Sequence, residues 1–290
     1  MYTIDAAIVK QFSSNVEILS QQKGSKLRNA VRVKTGVVGE DTYIDQIGKT
    51  AAVARTSRHA TTPIVSTEWQ RRRISMKDYD WGDYIDVPDK IKMLADPTAE
   101  YVLNASYALG RAIDDEIITQ TFGTAYIGKT GSATETFPTS TNVVAVGSAG
   151  LTVNKLLDAK EILDNNDVDD MEPRYVAITG TQLNDLLKED KVTSADYDTI
   201  RALVAGKVDT FCGFKFIIVS TSLLDTDSDS YRRVIAWAQN GLGVGISRDI
   251  VTDVSPDITH NMDILVQAHL GVGAARLDSD KVVEIKCSEA

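Results

Sequence analysis

Residues Gly123 to Thr130, reading Gly-Thr-Ala-Tyr-Ile-Gly-Lys-Thr, fit the phosphate-cradling pattern G-x-x-x-x-G-K-[ST] at every position. In such a loop a buried strand leads in and a helix leads out, so backbone N–H groups and the helix dipole converge on phosphate. Here the order is reversed. A long helical pattern runs into the loop, and a Thr-, Ser- and Gly-rich stretch with Pro138 leaves it. Nucleotide chemistry using Lys129 and Thr130 is therefore the weaker reading of this motif.

Residues 225–230, Asp-Thr-Asp-Ser-Asp-Ser, imitate the start of a calcium loop, but position six is Ser230 rather than Gly and position twelve is Ala236 rather than Glu. A solvated turn between strands is expected there, and the acidic run at 164–172 has the same plain explanation. His59, His260 and His269 share no metal-ligand spacing, Cys212 and Cys287 form no zinc pattern, and no G-x-S-x-G elbow occurs. No catalytic constellation is present. The sequence implies no cofactor, no metal and no enzyme activity, which turns attention to the elements and the surfaces they carry.

The chain has 290 residues, 43% of them hydrophobic and 25% charged, enough to bury a core without disulfides or metals. Neither a membrane span nor a signal peptide is expected, and a reducing compartment is the default. With 31 Lys and Arg against 41 Asp and Glu, the net charge is −10, which argues against a dedicated nucleic-acid binder. That average hides a division. Residues 1–80 carry a net +5 and residues 81–290 a net −15, so copies of the chain can steer one another.

Ile4, Ile8, Phe12, Val16 and Leu19 recur at steps of three and four, an amphipathic start that needs some surface to cover it. From Leu27 to about Val87 the pattern turns to β, with a polar run of small residues between two strand-like segments. This resembles a two-stranded excursion with a polar tip, too thin in apolar residues to make its own core. Asp96 and Pro97 then open the strongest helix, running to about Thr121. Val102, Ser106, Leu109, Ile113 and Ile117 form its stripe, with Arg111, Asp114 and Asp115 off it. Residues 123–150 read as a loop or hairpin with one β segment at 142–146. A compact α/β stretch follows: a helix from Thr152, a strand at 174–180, a short helix at 182–189, a helical segment at 196–206, and strands at 213–221 and 232–238. Alternation from Met262 to Ala274 marks one long half-buried strand, and a last strand spans 281–286. The glycines at 241, 243, 245, 271 and 273 never complete G-x-G-x-x-G and suit a bent strand or a close backbone neighbour.

The order of these elements resembles the major capsid proteins of tailed bacteriophages with the Hong Kong 97 fold. The stretch from Tyr175 through Leu224, with its strand, helix, glycine-marked turn and second strand, is similar to that family's axial domain, and Asn261 to Lys286 to its last two strands. The resemblance implies an α+β fold made of an N-terminal arm (1–36), an E-loop hairpin and its base (37–87), a peripheral domain (88–150, with a spine helix over about 97–122), an axial domain (151–248) and return strands of the peripheral domain (249–290).

It further implies a structural role, as hexamers and pentamers closing into an icosahedral virion shell around double-stranded DNA, assembled in the host bacterial cytoplasm. The partners implied are other copies of the chain, a portal protein at one vertex, a cement protein in some shells, and DNA contacted without sequence specificity. Only some 35 residues precede the E-loop, so a separate scaffolding protein is expected. An encapsulin-type nanocompartment shell is the alternative of the same fold. Some members cross-link an E-loop lysine, but nothing marks Lys49 or Lys77 for this. On this reading Ile4, Ile8, Phe12 and Leu19 face a neighbour or scaffold. Arg55, Arg58, Arg71, Arg72 and Arg73 make charge pairs between copies, and Trp69, Tyr79 and Trp81 supply apolar anchors.

Overall fold

The computed structural model of the chain describes residues 21–59, 61–86, 98–188 and 210–289. The amphipathic start with Ile4, Ile8, Phe12 and Leu19, the Asp96–Pro97 cap and the helix expected at 196–206 lie outside the described residues. Two compact units are present. The larger is built from Lys26–Lys77, Ile113–Ser247 and Val272–Ala290, the smaller from Asp78–Ala112 and Arg248–Gly271 with the residues just before Lys26.

Along the chain, β1 (Arg32–Thr35) is followed by β2 (Asp41–Ile47) and β3 (Trp69–Ser75), then β4 (Lys77–Ile85). Helix α1 (Thr98–Phe122) leads into the short strands β5 (Ala125–Ile127), β6 (Ala133–Glu135) and β7 (Val143–Val144). Helix α2 (Val153–Asn165), β8 (Arg174–Ile178) and α3 (Gly180–Lys188) come next. Strands β9 (Thr210–Phe211), β10 (Phe214–Ile218), β11 (Arg232–Ala238), β12 (Leu242–Asp257), β13 (Asp263–Arg276) and β14 (Val282–Cys287) complete the chain.

The core of the larger unit is a six-stranded sheet in the order β7-β14-β11-β8-β10-β9. Helix α2 starts where Thr152 accepts a hydrogen bond from the Lys155 N–H. Its Val153, Leu156, Ala159 and Leu163 are buried with Leu186 of α3 against Val176, Ile178, Val234, Val283 and Ile285 of the sheet. Burying such aliphatic side chains stabilises the fold by about 1.5–3 kcal/mol each. Lys155 is buried beside this cluster. Its ammonium donates to the carbonyls of Ala149, Gly150 and Lys286 at 2.7–2.9 Å, and burial lowers its pKa. Trp237, fully buried on β11, stacks on Tyr175 and donates its indole N–H to the Ala30 carbonyl at 2.9 Å, fixing the segment that leads into β1.

A second sheet of the larger unit, β2-β3-β5-β6, carries the hairpin. β2 and β3 pair antiparallel from Asp41↔Ser75 to Ile47↔Trp69, and the Gly48 N–H donates to the Glu68 carbonyl at 2.8 Å where the tip begins. β1 pairs parallel with β12 from Arg32↔Gly243 to Thr35↔Ile246. The glycine-rich strands permit close packing. A Cβ at Gly273 would lie 2.1 Å from the Ser75 carbonyl oxygen, so a second backbone passes there, as the glycine pattern suggested.

In the smaller unit the Arg111 guanidinium donates to the Gln21 side chain at 2.7 Å, and Gly110 lets the backbone at Gly24 pass α1. Tyr84 on β4 donates to Asp257 at 2.8 Å, and His269 on β13 faces Asp80. Asp257 also accepts from Thr259 and His260, and these bonds hold its carboxyl well below the usual range.

Three sequence expectations change. Asp114 is not on the solvent side of α1: it is fully buried and accepts from the N–H groups of Lys26 and Leu27 at 2.9 and 3.0 Å, because that backbone needs an acceptor there. The acidic run at 164–172 is not merely solvated either. Asp164 and Asp170 both pair with the buried Arg174, at 2.6 and 3.1 Å. The strand at 263–276 is half-buried only in its first part, since from Leu270 to Arg276 both faces are covered. The 225–230 stretch does fold as a turn: Asp227 accepts from the N–H groups of Asp229 and Tyr231 and pairs with Lys286.

Candidate assembly surface

Strand alternation decides what the hairpin shows and what it hides. On β3, Arg72 and Ile74 share one face and are buried, while Trp69, Arg71 and Arg73 share the other. Trp69 is 71% exposed. Arg71 pairs with Asp45 across the hairpin at 2.6 Å and lies over the Tyr43 ring, and this bond holds the Asp45 carboxyl below its usual range. Arg73 lies over the Tyr126 ring, 3.8 Å from Asp41. Beyond the stem, every described residue from 49 to 68 is exposed, including Arg55, Arg58 and Ile64. Tyr79 and Trp81 of the smaller unit are half-buried on β4.

Arg72 has a different role from its two neighbours. It is 4% exposed and ion-paired with Glu135 at 2.8 Å, so its charge is spent inside its own chain. Behind it lies Arg276, fully buried, whose guanidinium donates to the carbonyls of Thr121, Gly123 and Glu135 and to the Ser279 hydroxyl at 2.8–3.0 Å. Burial pushes the Glu135 carboxyl pKa up, but hydrogen bonds from Ser279 and Arg72 and the nearby Arg276 charge outweigh it and hold the carboxyl below its usual range. Burial pushes the Arg276 pKa down. Sequence reasoning missed Arg276, Glu135 and Asp114. The alternation of 69–75 was the available signal for Arg72; nothing local marked Arg276.

The motif at 123–130 is part of the same sheet. α1 ends at Phe122, and the chain forms the hairpin β5–β6, with Gly128 and Gly131 at φ +90° and +65° in the turn. A strand, not a helix, leaves the loop. Lys129 is exposed and lines a hollow of about 360 Å³ with Trp69, Arg71 and Asp45, a grouping the sequence did not reveal. Replacing Lys129 with alanine is expected to leave the unfolding midpoint unchanged, and calorimetry with ATP should show no Lys129-dependent heat. Micromolar binding lost in the variant would contradict this.

The larger unit thus combines a two-helix α/β core with a strand hairpin that carries an open aromatic and cationic face. Solved phage-type shells share the chain's fold. The capsid protein of cyanophage P-SCSP1u is 16% identical at a TM-score of 0.74, with 100% of this chain and 96% of that chain covered. That of Ralstonia phage GP4 is 9% identical at 0.73, covering 98% and 96%, and that of a native GTA particle is 14% identical at 0.70, covering 100% of both. The α+β capsid fold of the Hong Kong 97 type, expected from the order of elements, is the fold of this chain. The chain belongs to the phage capsid protein family, which it matches over residues 4–289. No curated protein sequence matches it.

Proposed function

We propose that this chain is the major shell subunit of a tailed-phage head, forming hexamers and pentamers that close into an icosahedral shell around double-stranded DNA. It assembles in the host cytoplasm on a separate scaffolding protein, with a portal at one vertex, and performs no catalytic step. One observation carries the reading: a stem of paired strands presents a tip in which every described residue from 49 to 68 is exposed, with Val53 and Ile64 open to solvent. A segment with no core at home gains stability only on another surface, and in a capsid family that surface is a second copy. Negative-stain microscopy of the chain expressed with its scaffolding protein should show closed shells of uniform size. Monomers or amorphous aggregate under those conditions would count against the reading. Nuclease-protected DNA in particles from infected cells separates a phage head from a cargo compartment.

Arg55 and Arg58 are exposed, whereas Arg72 is bound within its own fold and Arg71 and Arg73 face Asp45 and Asp41. Reversing Arg55 and Arg58 to glutamate is expected to slow assembly, most of all at low salt, because screening shortens exposed attraction to about 10 Å at 0.1 M salt. Thermal unfolding of the unassembled chain should not move. Light-scattering rates that match the parent's at every ionic strength would show the tip charges to be solvated surface only.

A further inference from the structure

In the larger unit the sheet β2-β3-β5-β6 has one covered face and one open face. Thr42, Ile44, Arg72 and Ile74 are buried on the first. On the second, the register sets Ile47 opposite Trp69, Asp45 opposite Arg71, and Arg73 between Tyr43 and Tyr126, and Ile47 is 62% exposed. The turn from β5 to β6 borders this face, where its Lys129 lines the hollow of about 360 Å³ with Trp69 and Arg71. Arg71 and Arg73 have Asp45 and Asp41 near them, whereas Lys129 has no ion-pair partner among the described residues. The face therefore offers aromatic surface with an uncommitted cation at its rim.

A complementary surface carries an apolar side chain beside uncommitted carboxylates. Several acids in the turns of the larger unit are already paired: Asp164 and Asp170 with Arg174, Asp167 with Lys49, and Asp227 with Lys286. Helix α2 differs. Its Asp158 and Glu161 are exposed and have no ion-pair partner among the described residues. Leu157, 48% exposed, precedes Asp158 and lies one turn before Glu161 on the same side of the helix. Covering Leu157 with an aromatic ring adds an attraction that salt does not screen, and the carboxylates fix its direction. We propose that a second copy of this chain occupies the open sheet face, with Leu157 of its α2 seated beside Trp69 and its Asp158 and Glu161 paired with Lys129. This contact rests on the assembly reading above, and it adds to the hairpin tip a second surface on the stem.

Zero-length carbodiimide coupling tests it on a mixture of isotopically heavy and light chains, in whatever oligomers they form. Mass spectrometry should find an amide between Lys129 of one label and Asp158 or Glu161 of the other. Lys129→Glu is expected to slow association by about tenfold at low salt, and adding Glu161→Lys to it should bring the rate back to within about threefold of the parent's. Both variants should keep the parent's unfolding midpoint, because both side chains are exposed. Open oligomers that contain the cross-link would support this contact while counting against the closed shell. Closed shells in which Lys129 couples instead to other acids, such as Asp169 or Asp229, would overturn the contact and leave the shell reading intact. A double variant that associates as slowly as Lys129→Glu, or a chain that stays monomeric at every concentration, overturns it as well.

Discussion

Replacing Arg276 with methionine is expected to destabilise the unassembled chain by about 3–5 kcal/mol, the cost of removing one partner from a buried, hydrogen-bonded charge network. The reason is local and countable. Three backbone carbonyls, of Thr121, Gly123 and Glu135, and the Ser279 hydroxyl all accept from or pair with this one guanidinium, which also lies 5.4 Å from the centre of the Phe137 ring. Methionine fills part of the volume and supplies no donor, so the carbonyls lose their partners and Glu135 is left with Arg72 as its remaining cation. Lysine in place of Arg276 should recover only part of the loss, because one ammonium cannot present the planar fork that reaches acceptors on several sides. Urea unfolding followed by tryptophan fluorescence measures this directly. A midpoint shift worth less than about 1 kcal/mol would mean that water replaces the guanidinium and that the network is not a stability determinant.

Shortening the hairpin should produce the opposite pattern, an intact fold that cannot build a shell. The stem closes at the Gly48 to Glu68 hydrogen bond, so residues 49–67 can be replaced by Asn-Gly, the pair suited to a two-residue turn between twisted strands. The excised residues that are described bury nothing, and the one ion pair lost among the described residues, Lys49 with Asp167, is exposed on both sides and contributes little. Stability should therefore change by no more than about 1 kcal/mol, with the shorter loop lowering the closure cost slightly. Shell formation should stop altogether, since the tip is the segment that needs a neighbour. Sedimentation of the expressed variant gives the answer. Closed shells at the parent's yield would show that the tip is dispensable and that assembly rests on other surfaces.

Both expectations concern residues that were unequally legible in the sequence. The middle of the hairpin was legible, since two β-leaning segments around a polar run announce strands with a tip, but the excursion expected over 27–87 is shorter: only 41–47 and 69–75 pair with each other, and β1 pairs with β12 instead. Helix α1 and the described part of the compact α/β stretch were legible for a similar reason, since amphipathic period and turn residues are local signals that packing reinforced. The failed nucleotide motif could also be judged locally, because its required strand-then-helix context was missing on both sides.

What the letters could not give were the polar residues turned inward. Asp114 belongs to no apolar stripe, and its burial follows from the need of two N–H groups nearly ninety positions earlier. Arg276 ends a long strand like any surface cation, yet it closes a gap where carbonyls from α1 and β6 converge. Arg72 sits among three identical residues: strand alternation separates it from Arg71 and Arg73, but its partner Glu135 on β6 is set only by packing. A hydrophobic pattern reports burial one element at a time. The identity of a buried charge's partner depends on distant backbone that has no acceptor or donor of its own, and that match exists only once the sheets and helix have packed.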